Sequence, residues 1–290
     1  YRRGGVDRVS IGVQSMRPHV LRALGRTHDP DNVVRAIGAA RDAGFARVNV
    51  DLIYGAAGES LDDWRATLLD ALDLGPDHVS AYALTVEPGT PLGRMVAAGE
   101  RRAPDDDDQA DKHLLADDVL TAAGFRWYEI SNWARPGQEC RHNWLYWDGG
   151  EYAAVGCAAH GHTGGRRWWN VRTPDRYVEL VARDQVPEAG GETLDPTTRA
   201  EEAFALALRT RRGVAVAPDG DARTVVDALA AASLLVVEGD RARLTRRGRL
   251  LASAVTVELL AAGAARGVGA PARPPGRPVS RRLALGTIEC

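Results

Sequence analysis

Six consecutive residues, His142, Asn143, Trp144, Leu145, Tyr146 and Trp147, combine an imidazole, a carboxamide, a phenol and two indoles in a chain that is only 6% aromatic. Such a segment can plug a core gap or hold something flat against its ring faces. Further on, His160 and His162 flank a glycine, and strand alternation puts both imidazoles on one face. Two donors fall short of a complete metal site, so these histidines read as structural or rim residues. The stretch RRWWN, with Arg166, Arg167, Trp168 and Trp169, could stack on a flat ligand, although strand packing explains it more simply. Cys140, Cys157 and Cys290 lack CxxC spacing, which argues against a zinc knot, a disulfide scaffold or a self-contained iron–sulfur cluster. The acidic run Asp105 to Asp108 reads as a solvated helix start, because four consecutive residues cannot share one helix face.

The elements that must position these groups begin with three apolar runs, DRVSIGVQS (7–15), ARVNVDLIYG (46–55) and HVSAYALTVE (78–87). They read as strands buried on both faces. Between them, PDNVVRAIGAARDAGF and SLDDWRATLLDALDLG have helical spacing, with Asp29 and Ser60 as N-caps and Gly44 and Gly75 as stops. The order is βαβαβ, hence a parallel sheet or barrel. In such folds ligands gather at the carboxyl ends of the strands. Gln14 ends the first run, Asp51 lies in the second near Tyr54 and Gly55, and Glu87 follows the third, while Arg26 in LGRTHD could reach the same rim and pair with a carboxylate. A purely structural role, in which Gln14 and Asp51 satisfy loop backbone, stays open on this pattern alone.

Residues 100–125 read as one amphipathic helix, followed by short, strand-like, aromatic-rich pieces: WYEISNWARPG, HNWLYWDGGEYAAVG and GGRRWWNVRTPDRY. From about 195 the chain is helical again, and 221–260 reads helix, hairpin with a turn at Gly239-Asp240, then helix, a winged-helix-like order. Arg241, Arg243, Arg246, Arg247 and Arg249 make this part basic, yet TVVDALAAASLL brings no basic residue to read a groove, and the 290-residue chain carries a formal net charge of -2. Nucleic acid is therefore disfavoured as a partner. Neither a membrane-spanning run nor a signal segment is visible, and a cytoplasmic protein is expected. The expected divisions are 1–100, 101–194, 195–260 and a tail, 261–290, too rich in Ala, Gly, Pro and Arg to pack.

SIGVQS, LRALGRTHD, VNVDLIYGAAGES and SAYALTVEPGTPL together resemble the second part of the barrel in the radical S-adenosylmethionine, oxygen-independent coproporphyrinogen III oxidase-like family. ISNWARPG, RHNWLYW, EYAAVGCAAHG and RRWWNV narrow the resemblance to its haem chaperone branch, HemW, over Val6 to about Leu260. The resemblance implies an α/β fold: the C-terminal part of a partial (βα) TIM-type barrel, an α/β extension and a C-terminal helical, winged-helix-like module. It implies S-adenosylmethionine contacts at Gln14, Arg26, Asp51 and Ala83, and a haem site of His142, Asn143, Tyr146 and Trp147, with His142 as iron ligand and Cys140 as a weaker competitor. Haem and haem-accepting proteins would be the partners. The family's [4Fe–4S] cluster sits on a CxxxCxxC loop that this sequence lacks; with Tyr1 first and methionines only at Met16 and Met95, the chain reads as N-terminally shortened and not catalytic on its own. Ala56-Ala57 stands where relatives have Leu-Pro. Two alternatives remain: a coproporphyrinogen III dehydrogenase-like enzyme and a winged-helix nucleic-acid-binding protein.

Overall fold

The computed structural model describes residues 1–217 and 219–265, which form two compact units meeting in sequence at Cys140 and Arg141. Cys290 and the tail expected to lie unpacked fall outside the described residues from position 266 onward; before that point Ala264 and Ala265 are buried. Among the described residues no helix is long and apolar enough to cross a membrane.

The first unit runs β1 (Arg8–Gln14), α1 (Pro18–Ala23), α2 (Pro30–Asp42), β2 (Arg47–Tyr54), α3 (Leu61–Asp73), β3 (His78–Ala83), α4 (Pro91–Ala97), α5 (Asp106–Ala122), β4 (Arg126–Glu129) and β5 (Asn132–Ala134). Its sheet has the order β1-β2-β3-β5-β4, with the first three strands parallel and β5 antiparallel to both neighbours. The helix starts are local chemistry. Asp29 and Asp105 each accept the backbone N–H three residues on, and Ser60 and Asp63 form a reciprocal capping box. Gly44 and Gly75, both at positive φ, follow the helix ends as expected. The region expected to be one helix over 100–125 starts only at Asp106, after a separate α4 that Thr90 caps.

The strands are not apolar on both faces. Val48, Val50, Leu52 and Tyr54 of β2 pack with Val13, Val79, Ala81, Trp64, Leu68 and Leu120 into the core. Alternation sends Asn49 and Asp51 to the opposite face, where β1 contributes Ser10 and β3 contributes His78 and Ser80. This polar face carries one continuous hydrogen-bond chain. Tyr128 OH lies 2.7 Å from His78 Nε2, and His78 Nδ1 lies 2.5 Å from Asn49 Oδ1. The Asn49 amide donates to Asp51 Oδ1 at 2.7 Å, to Ser80 at 3.1 Å and to Ser10, whose hydroxyl donates to Asp51 Oδ2 at 2.5 Å.

The second unit runs α6 (Arg141–Trp147), β6 (His160–Thr163), β7 (Arg166–Asn170), α7 (Pro174–Ala182), β8 (Glu188–Thr193), α8 (Pro196–Leu208), β9 (Val214–Ala215), α9 (Asp221–Ala231), β10 (Leu235–Glu238), β11 (Arg241–Leu244), α10 (Arg246–Leu250) and α11 (Ala252–Ala261). Its two antiparallel sheets are β6-β7-β8 and β10-β11-β9. The tryptophans of β7 pack over glycines of the flanking strands: a Cβ on Gly161 would meet the Trp168 ring at 2.3 Å, and one on Gly190 the Trp169 ring at 2.7 Å. In the helix–hairpin–helix part, α9 begins earlier than TVVDALAAASLL and includes Arg223, paired with Asp227. The hairpin arginines have structural partners: Arg241 donates to the carbonyls of Arg212 and Gly213, and Arg243 pairs with Glu238.

Burial, with the positive charge of Arg8 adding to it, pushes the His78 imidazole down to about 3. The unfolded chain takes up this proton near the ordinary value of about 6.5, whereas the folded chain does not. As pH falls from about 6.5 towards 3, His78 therefore costs up to about 1.4 kcal/mol of stability per pH unit, and above 6.5 it contributes no slope. The His78 ring resonances should stay at their neutral NMR positions down to pH 4 in the folded protein. A titration midpoint near 6.5 would contradict the buried chain.

Candidate functional site

Two clusters hold the residues that the sequence offers as ligands. The first lies at the carboxyl ends of β1, β2 and β3. Gln14 ends β1 with φ 63, a left-handed backbone for a non-glycine residue, and the pairing register shifts between Gly12 and Gln14. Such a conformation costs on the order of 1–3 kcal/mol and persists where the surroundings impose it. Its effect is to fold the carboxamide back over Gly12, where an added Cβ would sit 2.8 Å from Gln14 Nε2. Gly12 pairs with Asp51, so Gln14 and Asp51 share the polar face. Asp51 already accepts from Ser10 and Asn49, one donor per carboxylate oxygen. Each oxygen keeps lone-pair capacity for a further donor such as a ribose hydroxyl.

Arg26 follows the turn that closes α1, where its N–H donates to Leu21 O at 2.9 Å. The guanidinium is exposed and forms no ion pair among the described residues. His28, two residues on, has Nε2 3.0 Å from Val13 O, which moors this segment beside the end of β1. Ala83 pairs with Tyr54 and packs on the helix-covered core, so only its backbone could serve a ligand at the rim. Glu87 is exposed, and its carbonyl accepts from the Thr90 hydroxyl at 2.7 Å.

A cleft of about 260 Å³ opens at this end of the unit, lined by the 55–59 loop, Leu84, Pro104, Asp105 and Asp108 among others. Charge invisible as a sequence motif holds its wall. Lys112 and Glu59 have fully buried side chains, and Lys112 Nζ donates to Glu59 O at 2.8 Å and to Asp108 at 2.6 Å. Glu59 Oε2 accepts from Gly55 N–H at 2.7 Å. Burial raises the Glu59 carboxyl, opposed by the Gly55 N–H and by Lys112. No three His, Cys, Asp or Glu side chains among the described residues converge as a metal-ion set, so the residues present do not fit an iron–sulfur cluster. Cys140 and Cys157 are free thiols.

The second cluster is α6, and here the structure corrects the strand-like reading of HNWLYW. Tryptophan and tyrosine favour strands only where a pleated surface receives them. In this segment His142 and Tyr146 fall at i and i+4, and Asp148-Gly149-Gly150 ends the helix, with Gly149 at φ 59 and Gly150 N–H bonded to Leu145 O. None of the seven residues is buried, so the segment is not a core plug; Leu145 is 38% and Tyr146 40% exposed. The His142 and Tyr146 rings meet edge to face at 4.9 Å, with Tyr146 OH 3.3 Å from His142 Nε2. Partial burial holds the His142 imidazole below its ordinary value, which keeps it neutral at pH 7. Asn143 and Trp147 lie one position on from these two, again at i and i+4. Arg212 clamps the helix from outside: its guanidinium lies 3.7 Å from the Trp144 ring centre, and its Nη1 reaches Asp148 Oδ1 and Oδ2 at 2.8 and 2.9 Å. Tyr152, which lies in EYAAVGCAAHG, meets Tyr146 edge to face with ring centres 4.5 Å apart.

Residues 1–71 match the radical SAM superfamily, and residues 194–251 match the HemN C-terminal domain. A protein of Mycobacterium tuberculosis strain H37Rv named "Heme chaperone HemW" is 50% identical over 260 residues, covering 89% of this chain and 67% of that protein. Its namesake in Bacillus subtilis strain 168 is 32% identical, with 87% of this chain and 69% of the relative covered. Among solved structures, coproporphyrinogen III oxidase (HemN) from Escherichia coli, titled a radical SAM enzyme, superposes with a TM-score of 0.71 at 21% identity, covering 89% of this chain and 65% of that one. The chain thus spans about two thirds of the length of these proteins.

The Arg212 clamp has a measurable share. A cation over an indole and a half-exposed ion pair together contribute about 1 kcal/mol, so Arg212→Ala should lower the urea unfolding free energy of the second unit by that amount and weaken the near-ultraviolet circular dichroism of Trp144. Arg212→Lys keeps the charge but not the planar stack and should fall between the two. A lysine variant indistinguishable from wild type would show that the stack contributes nothing.

Proposed function

Because the chain belongs to the HemW haem chaperone family of the radical SAM superfamily, we propose that it binds haem at α6 and passes it to acceptor proteins, and that the β1–β3 rim takes S-adenosylmethionine. The observation that carries the haem reading is the placement of HNxxYW on a helix with no buried residue, its histidine neutral and its tyrosine exposed. A neutral imidazole is an ordinary axial ligand for haem iron, and Leu145 and Tyr146 offer apolar surface to the macrocycle. Ligation through His142 Nε2 would replace its 3.3 Å contact with the Tyr146 hydroxyl, which leaves that hydroxyl able to turn elsewhere. Asn143 and Trp147 complete the site on the adjoining stripe of the helix. A site on the surface rather than in the core suits a cargo that must leave again.

At the rim, S-adenosylmethionine when bound would supply the family's cofactor chemistry; the part of this chain is to hold it. Asp51, fixed by Ser10 and Asn49, would accept from ribose hydroxyls, and the Gln14 carboxamide would bond polar groups beside it. Arg26, exposed and without an ion pair among the described residues, would take a carboxylate, and Ala83 would offer backbone only. The proposed compartment is the cytoplasm, where free thiols such as Cys140 and Cys157 stay reduced. The coproporphyrinogen-oxidising alternative rests on a fold likeness at 21% identity, which carries the fold alone.

Titrating haem into the wild type should give a Soret shift that His142→Ala loses or displaces, and identical spectra would return α6 to a purely structural role. Equilibrium dialysis with S-adenosylmethionine should show about tenfold weaker binding, roughly 1.4 kcal/mol, for Asp51→Ala. Equal retention by both proteins would remove Asp51 from the site.

A further inference from the structure

Gln14 offers a carboxamide to the rim, yet that carboxamide makes no hydrogen bond among the described residues. Its direction is therefore set by its backbone. That backbone is the centre of a three-residue turn, closed by Ser15 N–H to Val13 O at 2.7 Å, with φ 63 at Gln14. A bond from i+2 back to i with positive φ at the centre is the rare, strained form of the γ-turn, and it persists only where groups outside the turn hold it. Two groups outside it do so. The buried Ser15 hydroxyl lies 3.2 Å from the buried Thr67 hydroxyl of α3, which also accepts from Met16 N–H at 3.3 Å. His28 Nε2 lies 3.0 Å from the same Val13 carbonyl that closes the turn. A carbonyl can only accept, so Nε2 carries the proton and donates it.

We propose that His28 is a positioning residue of the rim: its Nε2–H clamps the Val13 carbonyl, holds Gln14 in its left-handed turn and so aims the carboxamide over Gly12, on the face of Asp51. The proposal rests on the reading of the rim as an S-adenosylmethionine site. His28 itself touches no ligand in this role and acts through Gln14. It stands in the loop between α1 and α2, two residues past Arg26, so the loop that carries a guanidinium for the ligand's carboxylate also fixes the carboxamide. One hydrogen bond thus ties two contacts of the rim together. Thr67 anchors the residue after the turn from the helix side, and His28 anchors the residue before it from the loop. Without the imidazole, the Val13 carbonyl keeps only the Ser15 N–H, and Gln14 relaxes out of its strained conformation.

The test is a double-mutant cycle of wild type, His28→Ala, Gln14→Ala and the two combined, with Asp51→Ala and His28→Gln alongside, read by equilibrium dialysis with S-adenosylmethionine. His28→Ala should weaken binding about tenfold where Gln14 is present and less than about twofold where position 14 is already alanine, because the histidine acts through it. Glutamine keeps an N–H for the Val13 carbonyl, so His28→Gln should recover most of the affinity. The backbone carbon-13 shifts of Gln14, read without ligand, should move from left-handed towards extended values in His28→Ala and stay in place in His28→Gln. If His28→Ala fails to fold by far-ultraviolet circular dichroism, His28→Phe, which fills the space without the donor, takes its place in the cycle. An equal loss in both backgrounds, or left-handed shifts that survive removal of the imidazole, would overturn the positioning role and leave the rim reading standing. A wild type that binds no S-adenosylmethionine, or binding that neither Gln14→Ala nor Asp51→Ala weakens, would remove the rim reading and this role with it.

Discussion

The buried carboxamide of Asn49 is the constraint on which the first unit depends. Its side chain sits in the middle strand of the parallel trio at 6% exposure, and an amide placed there must have its donors and acceptor answered. The answers come from three strands: Ser10, Asp51 and Ser80 take its N–H groups, and His78, backed by Tyr128, gives to its oxygen. Slipping any of these strands by one residue would exchange this polar row with the valines of the opposite face. The row therefore locks the register of β1, β2 and β3. With the register locked, the positions of Gly12, Gln14 and Asp51 at the strand ends follow.

The second unit places its chemistry in the opposite manner. The aromatic helix α6 has no buried residue and is held from its flank by Arg212, with Leu145 and Tyr146 exposed. In the first unit polar groups are buried and satisfied by one another, which makes a rigid platform. In the second, no ring of α6 is buried, and Arg212 holds the face of Trp144. Rigid strand ends suit a cofactor whose polar groups need fixed partners, and displayed rings suit a cargo that arrives and departs.

Much of this was legible along the chain because it is local. Asp29, Ser60 and Asp105 cap helices through bonds to residues three positions away, and Gly44 and Gly75 stop them through their own backbone freedom. The helix, hairpin, helix order after residue 221 is likewise written in period and turn residues. The polar sheet face was misread because Asn49 and Asp51 are two exceptions inside an apolar run, although alternation would have put both on one side. The helicity of HNWLYW was missed because its aromatic content argued for a strand, while the i, i+4 pair and the Gly-Gly stop argued otherwise. The burial of Lys112 and Glu59 is not written in the sequence, since neither residue type announces that it will be buried, although Glu59 falls within VNVDLIYGAAGES.

By itself the sequence determined the parallel strand–helix order, the helix boundaries set by caps and glycines, the family, and the residues offered as ligands, all of which depend on neighbours within a few positions or on matched motifs. Only the tertiary structure decided that Gln14 folds back over Gly12 onto the face of Asp51, that Ala83 points away from it, and that Tyr152 and His162 extend the row begun by His142. These are contacts between segments distant along the chain. No local propensity encodes them, because they form only when burial and backbone pairing bring the segments together.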